Sequence, residues 1–92
     1  MAFVYVLRSS STGKFYTGAT TDLDRRLLEH NANLSRSTKN RGPWVLVHKE
    51  VFGNLAEAYR RERFLKSGRG RDELRRILAG ANLSSHAGIA VS

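Results

Sequence analysis

Apolar residues run unbroken from Phe3 to Leu7 (Phe3-Val4-Tyr5-Val6-Leu7). A second strand-like stretch, Lys14-Phe15-Tyr16-Thr17, follows a polar stretch from Arg8 to Gly13. β-Branched and aromatic residues dominate both runs, and Ser9-Ser10-Ser11-Thr12-Gly13 between them is turn chemistry, so the pattern predicts a hairpin. The first strand is apolar on both faces, which suits a central strand covered on both sides. Gly18 ends the second strand, where a bend or a close approach of backbone to a ligand needs a residue without a Cβ. A hairpin alone buries too little to be stable in water, so the rest of the chain has to cover it.

The periodicity then changes to that of a helix. Thr21 with Asp24 three residues on has the form of a capping box, and the helix is expected to run to about Asn31. At about 100° per residue, Leu23, Arg26, Leu27 and His30 share one side and Arg25 faces away. Residues 32–43 form a polar, basic loop carrying Arg36, Lys39 and Arg41, in which Ser37-Thr38-Lys39 offers hydroxyl and ammonium donors to a phosphate. Trp44 to Phe52 reads as a third strand. Asn54 with Glu57 again resembles a capping box and opens a helix from Leu55 to about Lys66. Leu55, Ala58, Tyr59 and Leu65 share its apolar side, with Glu62 in the middle of it. Ser67-Gly68-Arg69-Gly70 predicts a break, and Arg71 to Ala79 a third helix with Leu74, Ile77 and Leu78 as its apolar face. The chain after Gly80 is small and polar, which predicts a disordered tail over 80–92. The expected fold is a single α+β domain over residues 1–79. It is an α/β sandwich with a three-stranded antiparallel sheet flanked by helices, in the order β-β-α-β-α-α.

Composition changes this picture mainly through charge. The 92 residues carry 16 Lys and Arg against 8 Asp and Glu, a net charge of +8. Nucleic acid is the commonest partner of a small, strongly basic domain, and a solvated basic surface is the alternative. Arg outnumbers Lys, and its planar fork suits phosphate. Half of the basic residues fall between Arg60 and Arg76. The chain has no cysteine, which excludes disulfides and thiolate metal sites. No apolar run approaches the roughly 20 residues of a membrane span, and the N-terminus lacks signal-peptide character, so a cytoplasmic protein is expected.

Five residues stand out chemically: Tyr5, Tyr16, Arg26, His30 and Glu62. Each has an ordinary structural reading. Arg26 can snorkel at the core edge, His30 can be a packed histidine, and Glu62 can pair with Lys66 four residues on. His48 reads as a strand-surface histidine. A carboxylate on an apolar stripe nevertheless costs stability unless it is paired or binds a cation. Together the five supply what phosphodiester hydrolysis needs. A hydroxyl can activate water, a guanidinium can stabilise developing charge, and a carboxylate can hold a hard divalent cation. Cys and Ser nucleophile patterns and zinc-like spacings are absent from the sequence.

In its motifs the chain resembles the GIY-YIG endonucleases. The resemblance is to the small standalone bacterial proteins similar to the N-terminal nuclease domain of excinuclease C. Phe3-Val4-Tyr5 stands where that family has Gly-Ile-Tyr, and Tyr16-Thr17-Gly18 where it has Tyr-Ile-Gly. Thr20 to Asn31 (TTDLDRRLLEHN) and Glu57 to Lys66 (EAYRRERFLK) follow its next two motifs, and Lys66 to Arg71 (KSGRGR) is typical of the standalone branch. The resemblance spans roughly residues 3 to 78 and implies a metal-dependent endonuclease that hydrolyses DNA in repair or processing. The alternative is a non-catalytic nucleic-acid-binding module with a vestigial site. By position it implies that Tyr5 is the general base or positions the attacking water, and that Tyr16 orients the nucleophile. It implies that Arg26 contacts the scissile phosphate, that His30 supports it by hydrogen bonding, and that Glu62 binds one Mg2+ or Mn2+ ion. Nearby Arg, Lys14 and the metal are expected to lower the Tyr5 pKa from its ordinary value near 10. Nucleic-acid contacts are expected from Lys14, Arg36, Lys39, Arg41, Lys66, Arg69 and Arg71. Two positions depart from the family pattern. Phe3 replaces the first glycine, and the asparagine that many members carry after the glutamate helix has no counterpart before Asn82 in the expected tail. With no second DNA-binding domain in the sequence, a homodimer or a separate protein would supply specificity.

Overall fold

Three strands and three helices follow in the expected order in the computed structural model, which describes the backbone of residues 1–91 and the side chains of residues 1–80. They are β1 (Ala2–Ser9), β2 (Phe15–Thr20), α1 (Leu23–Asn31), β3 (Trp44–Phe52), α2 (Leu55–Leu65) and α3 (Gly68–Val91). The sheet is antiparallel in the order β2-β1-β3, so the uninterrupted apolar strand is indeed the central one. Tyr5 lies opposite Gly18 on one side and Lys49 on the other. A register shift between Val6 and Leu7 brings Leu46, rather than Val47, opposite Leu7.

The two faces of β1 feed two cores. Ala2 and Val4 pack with Ala58 and Leu65 of α2, joined by Ala19, Phe52, Leu55 and Leu74. Tyr5 and Leu7 pack with Leu23 of α1 and Trp44, joined by Phe3, Tyr16, Leu27 and Leu46. Each fully buried aliphatic side chain here contributes about 1.5–3 kcal/mol, which is why a sheet of three short strands holds. Arg61 of α2 adds a polar tie. It donates to both Glu50 oxygens at 2.7 and 3.1 Å and to Glu73 at 3.1 and 3.3 Å, linking β3, α2 and α3.

Local signals differ from expectation at several places. Gly18 does not end the second strand, since β2 continues through it to Thr20. The cap of α1 is Asp22, not Thr21. Its Oδ1 accepts from the Arg25 N–H at 3.2 Å, and Thr20 Oγ1 accepts from the Asp22 N–H at 3.1 Å. Asn54 caps α2 as expected, accepting from the Glu57 N–H at 2.9 Å. Tyr59 is exposed, because the buried stripe of α2 runs through Leu55, Ala58, Glu62 and Leu65 and leaves Tyr59 on its rim. The expected break between the last two helices is present, but it falls at Lys66 and Ser67, and Gly68 and Gly70 lie in the first turn of α3 instead of in the break. Gly70 is buried there, and a Cβ on it would overlap the Phe64 carbonyl, so glycine serves the close approach of two helices rather than a turn. The helix extends past Ala79 to Val91. The expected tail over 80–92, with Asn82, falls mainly on residues whose side chains lie outside the described residues.

Candidate active site

The site forms where β1, β2 and α1 meet. Tyr5 points from the middle of the central strand toward α1, and Gly18 opposite it leaves room for its phenol. A Cβ at Gly18 would stand 2.5 Å from the Tyr5 hydroxyl and 3.1 Å from Tyr16 Cε2. The glycine of Tyr16-Thr17-Gly18 therefore shapes the site by lacking a side chain. The 3.6-residue repeat of α1 puts Leu23, Arg26, Leu27 and His30 on the inward side, with Leu23 and His30 fully inside and Arg25 in solvent.

Tyr5 and His30, 25 residues apart in sequence, meet directly: the hydroxyl lies 2.9 Å from His30 Nε2. The other ring nitrogen, Nδ1, lies 2.7 Å from Thr38 Oγ1. Tyr5 is 1% exposed, and His30 and Thr38 are 0% exposed. Tyr16 closes the cluster, its ring centroid 6.2 Å from that of Tyr5 and 4.9 Å from that of His30. Arg26 lies beside the Tyr5 phenol and is oriented by Glu29, whose Oε1 accepts from it at 2.7 Å. Glu29 also takes Arg25 at 3.3 Å.

Burial pushes Tyr5 up to about 12, against the pull of Arg26, with Tyr16 and Glu62 adding to the rise. The expected lowering of this pKa by neighbouring cations is thus outweighed by desolvation, and Tyr5 is a neutral phenol at neutral pH. Burial, and then Arg26, holds His30 below its ordinary value of 6.5, so it is a neutral imidazole.

That shift makes stability depend on pH. The unfolded chain binds a proton at His30 near pH 6.5, whereas the folded chain binds it only at lower pH. The stabilising contribution of neutral His30 is complete above 6.5 and declines as pH falls from there toward the folded pKa. Urea midpoints measured between about pH 8 and pH 5 should fall below pH 6.5, with a smaller fall in His30→Gln.

Glu62 reaches the site from α2, through Lys66 and Tyr16. Its carboxylate is 21% exposed and lies 3.5 Å from Lys66 Nζ, which stands 5.9 Å from the centre of the Tyr16 ring. The ordinary pairing read from the sequence is therefore present, but Lys66 is half exposed, and such a pair is worth under about 1 kcal/mol. Other carboxylates are held harder. Burial alone would raise Glu50, yet Arg61 and His48 keep it below the usual carboxylate range. His48, half-buried, lies 2.9 Å from Glu50 and belongs to that structural network, away from the tyrosines. Among the described residues no three His, Cys, Asp or Glu side chains cluster into a metal cage. A Mg2+ ion held by one carboxylate, with water and a substrate phosphate completing its shell, fits such a donor set.

The basic residues named from the sequence divide by position. Lys66 and Arg71 line, with Tyr16, Thr17, Leu65 and Leu74, an open groove of about 450 Å³ next to the cluster. Lys14, Arg36, Lys39, Arg41 and Arg69 are exposed. Thr38 is inaccessible to a phosphate, contrary to the reading of Ser37-Thr38-Lys39 as a donor set, because the loop turns its hydroxyl onto His30. Thr38 and Asn31 are the residues that sequence reasoning missed. Asn31 binds Trp44 twice, accepting from its N–H at 2.7 Å and donating to its carbonyl at 3.1 Å. Asn31 closes the Thr20 to Asn31 motif and Thr38 stands in a hydroxyl-rich loop, but nothing in either stretch points to the partner it finds across the fold.

Residues 1–75 match the family model of the GIY-YIG catalytic domain. A UPF0213 protein of Halobacterium salinarum is 46% identical over 67 residues, covering 72% of this chain and 86% of that protein. A UPF0213 protein of Staphylococcus haemolyticus is 37% identical over 76 residues, covering 82% and 92%. The solution NMR structure of a UPF0213 protein from Bacillus halodurans has a TM-score of 0.50 and 37% identity, covering 84% of this chain and 85% of that one. The paired tyrosines on adjacent strands, the arginine and histidine on α1 and the glutamate on α2 thus lie within a stretch that makes this chain a member of the GIY-YIG family.

Proposed function

We propose that this protein is a divalent-metal-dependent endonuclease that hydrolyses DNA phosphodiester bonds. The observation that carries the proposal is the buried Tyr5 hydroxyl, bonded to a neutral His30 and flanked by Arg26. A phenol with a pKa of about 12 cannot supply phenolate at neutral pH. It can take a proton from water if it gives up its own in the same step, and His30 Nε2 at 2.9 Å is placed to receive it. As the water oxygen bonds to phosphorus, its proton passes to Tyr5 Oη and the Tyr5 proton passes to His30. The bond from phosphorus to the leaving oxygen breaks, and that oxygen takes a proton from solvent. Tyr16 packs against both rings and fixes their placement. The Arg26 guanidinium faces the non-bridging oxygens, where negative charge grows. Glu62 would hold one Mg2+ or Mn2+ ion, which when bound supplies charge stabilisation at the phosphate. Lys66 and Arg71 in the groove, with Lys14, Arg36, Lys39, Arg41 and Arg69 on the surface, bind the flanking backbone. A net charge of +8 makes that binding strongly salt-dependent.

A panel of duplex, branched, flapped and single-stranded DNA, incubated with Mg2+ and with a chelator, tests this reading. Cleavage of at least one substrate with Mg2+ and of none with chelator is expected. Salt-sensitive binding without cleavage of any member would instead assign the protein as a nucleic-acid-binding module.

A further inference from the structure

The loop of residues 32–43 is more heavily built than a connection requires. Asn31 already ties the end of α1 to the start of β3 through both of its bonds to Trp44. Twelve residues nevertheless intervene, and their backbone is held at several points. Asn33 and Asn40 adopt left-handed conformations (φ 62° and 63°), and the Asn40 N–H donates to Asn33 Oδ1 at 3.0 Å. Thr38 N–H donates to the Ser35 carbonyl at 3.2 Å, while the Thr38 carbonyl accepts from Arg41 N–H and from the Trp44 indole, both at 3.2 Å. Ser9 Oγ donates to the Arg41 carbonyl at 2.5 Å. Leu34, the loop's one large aliphatic residue, is 74% exposed, so the loop is not there to fill a core. Its deepest side chain is Thr38, and that side chain ends on His30 Nδ1.

A neutral imidazole has one donor and one acceptor nitrogen. Tyr5, His30 and Thr38 can therefore be bonded in one of two directions. In one, Thr38 donates to Nδ1 and Nε2–H donates to Tyr5. In the other, Tyr5 donates to Nε2 and Nδ1–H donates to Thr38. Only the second leaves Nε2 able to accept the Tyr5 proton.

We propose that Thr38 is a positioning residue: its Oγ1 accepts from His30 Nδ1–H and so holds the imidazole in the tautomer whose Nε2 takes the Tyr5 proton. The inference rests on the hydrolytic reading of the site for its purpose, but its geometry can be tested without catalysis. A hydrogen-bonding partner on the far ring nitrogen is how proteins commonly fix a histidine tautomer, and at metal-bound histidines the loss of such a partner costs about 10–100-fold in activity, the scale taken here.

The experiment combines nitrogen NMR of the His30 ring with single-turnover cleavage for wild type, Thr38→Ser and Thr38→Val. In wild type at pH 7.5 the ring signals should report Nδ1–H with Nε2 bare. Thr38→Ser keeps the hydroxyl and should retain both the tautomer and the rate. Thr38→Val should mix the tautomers and cut the maximal rate about 10–100-fold, with little change in the DNA concentration giving half that rate. Wild-type signals reporting Nε2–H, or Thr38→Val cleaving at the wild-type rate, would overturn the proposal. If wild type shows Nδ1–H that Thr38→Val loses, yet cleaves nothing, the assignment of Thr38 stands and the hydrolytic reading fails instead.

Discussion

Tyr5→Phe should lower the single-turnover cleavage rate by about 10³-fold, within the range that general acid–base groups supply, while leaving DNA affinity unchanged. The substitution removes one oxygen from a ring that is 1% exposed and keeps the packing against Leu7, Leu23 and Trp44. It also leaves His30 Nε2 without its partner, at a cost of about 1–3 kcal/mol, so the melting temperature should drop without loss of the fold. The separation matters because the hydroxyl holds His30 and, in the proposed reaction, also moves a proton. Circular dichroism and a binding isotherm on the same sample tell a failed reaction from a failed fold. A wild-type rate from Tyr5→Phe would remove the hydroxyl from the chemistry.

Arg26→Ala should cost about 10²–10³-fold in the maximal rate, the loss seen when one donor to a developing oxyanion is removed. Arg26 is poised for this by its surroundings. Glu29 fixes one terminal nitrogen at 2.7 Å, and the side chain remains 32% exposed, so part of it is accessible to a substrate. Arg26→Lys should recover little of the rate, because an ammonium cannot keep Glu29 and grip a phosphate with a planar fork together. Arg25→Ala is the internal control. Arg25 is 74% exposed on the same helix and has the same charge, so its removal should weaken binding slightly and leave the maximal rate intact. Equal losses in the two variants would mean that Arg26 contributes only general charge.

Most of the fold was legible because the periodicities are clean. The unbroken apolar run of Phe3 to Leu7 marked the central strand, and the 3.6-residue repeat of α1 separated Arg26 from Arg25. Glu62 was conspicuous because a carboxylate stood where an aliphatic residue would be expected. The misreadings have local causes. The break between α2 and α3 was placed too far along the chain, because Gly68 and Gly70 look like helix breakers by propensity while the contact between Gly70 and Phe64 that explains glycine there is tertiary. Thr21 and Asp22 are both competent caps, and the choice falls to Asp22 through its bond to Thr20, which spacing rules do not include. The direct contact of Tyr5 with His30, and the part of Thr38 in it, join three segments distant in sequence, so no pattern within a single segment signals them. The rise in the Tyr5 pKa was missed for a related reason. Cations near Tyr5 could be counted in the sequence, whereas the depth of its burial is a property of the folded domain.

The proposed cleavage of DNA, with a metal ion held at Glu62, comes down to one comparison. Wild type and Glu62→Gln, purified in parallel, are assayed on the same DNA across a Mg2+ titration. The substitution keeps the shape of a side chain that lies between Ala58 and Leu65 and gives up only a half-exposed pair with Lys66, so the fold should be retained. The prediction is a saturable, Mg2+-dependent rate from wild type and a rate at least about 100-fold lower from Glu62→Gln, with DNA binding preserved. Equal rates from the two proteins would contradict it.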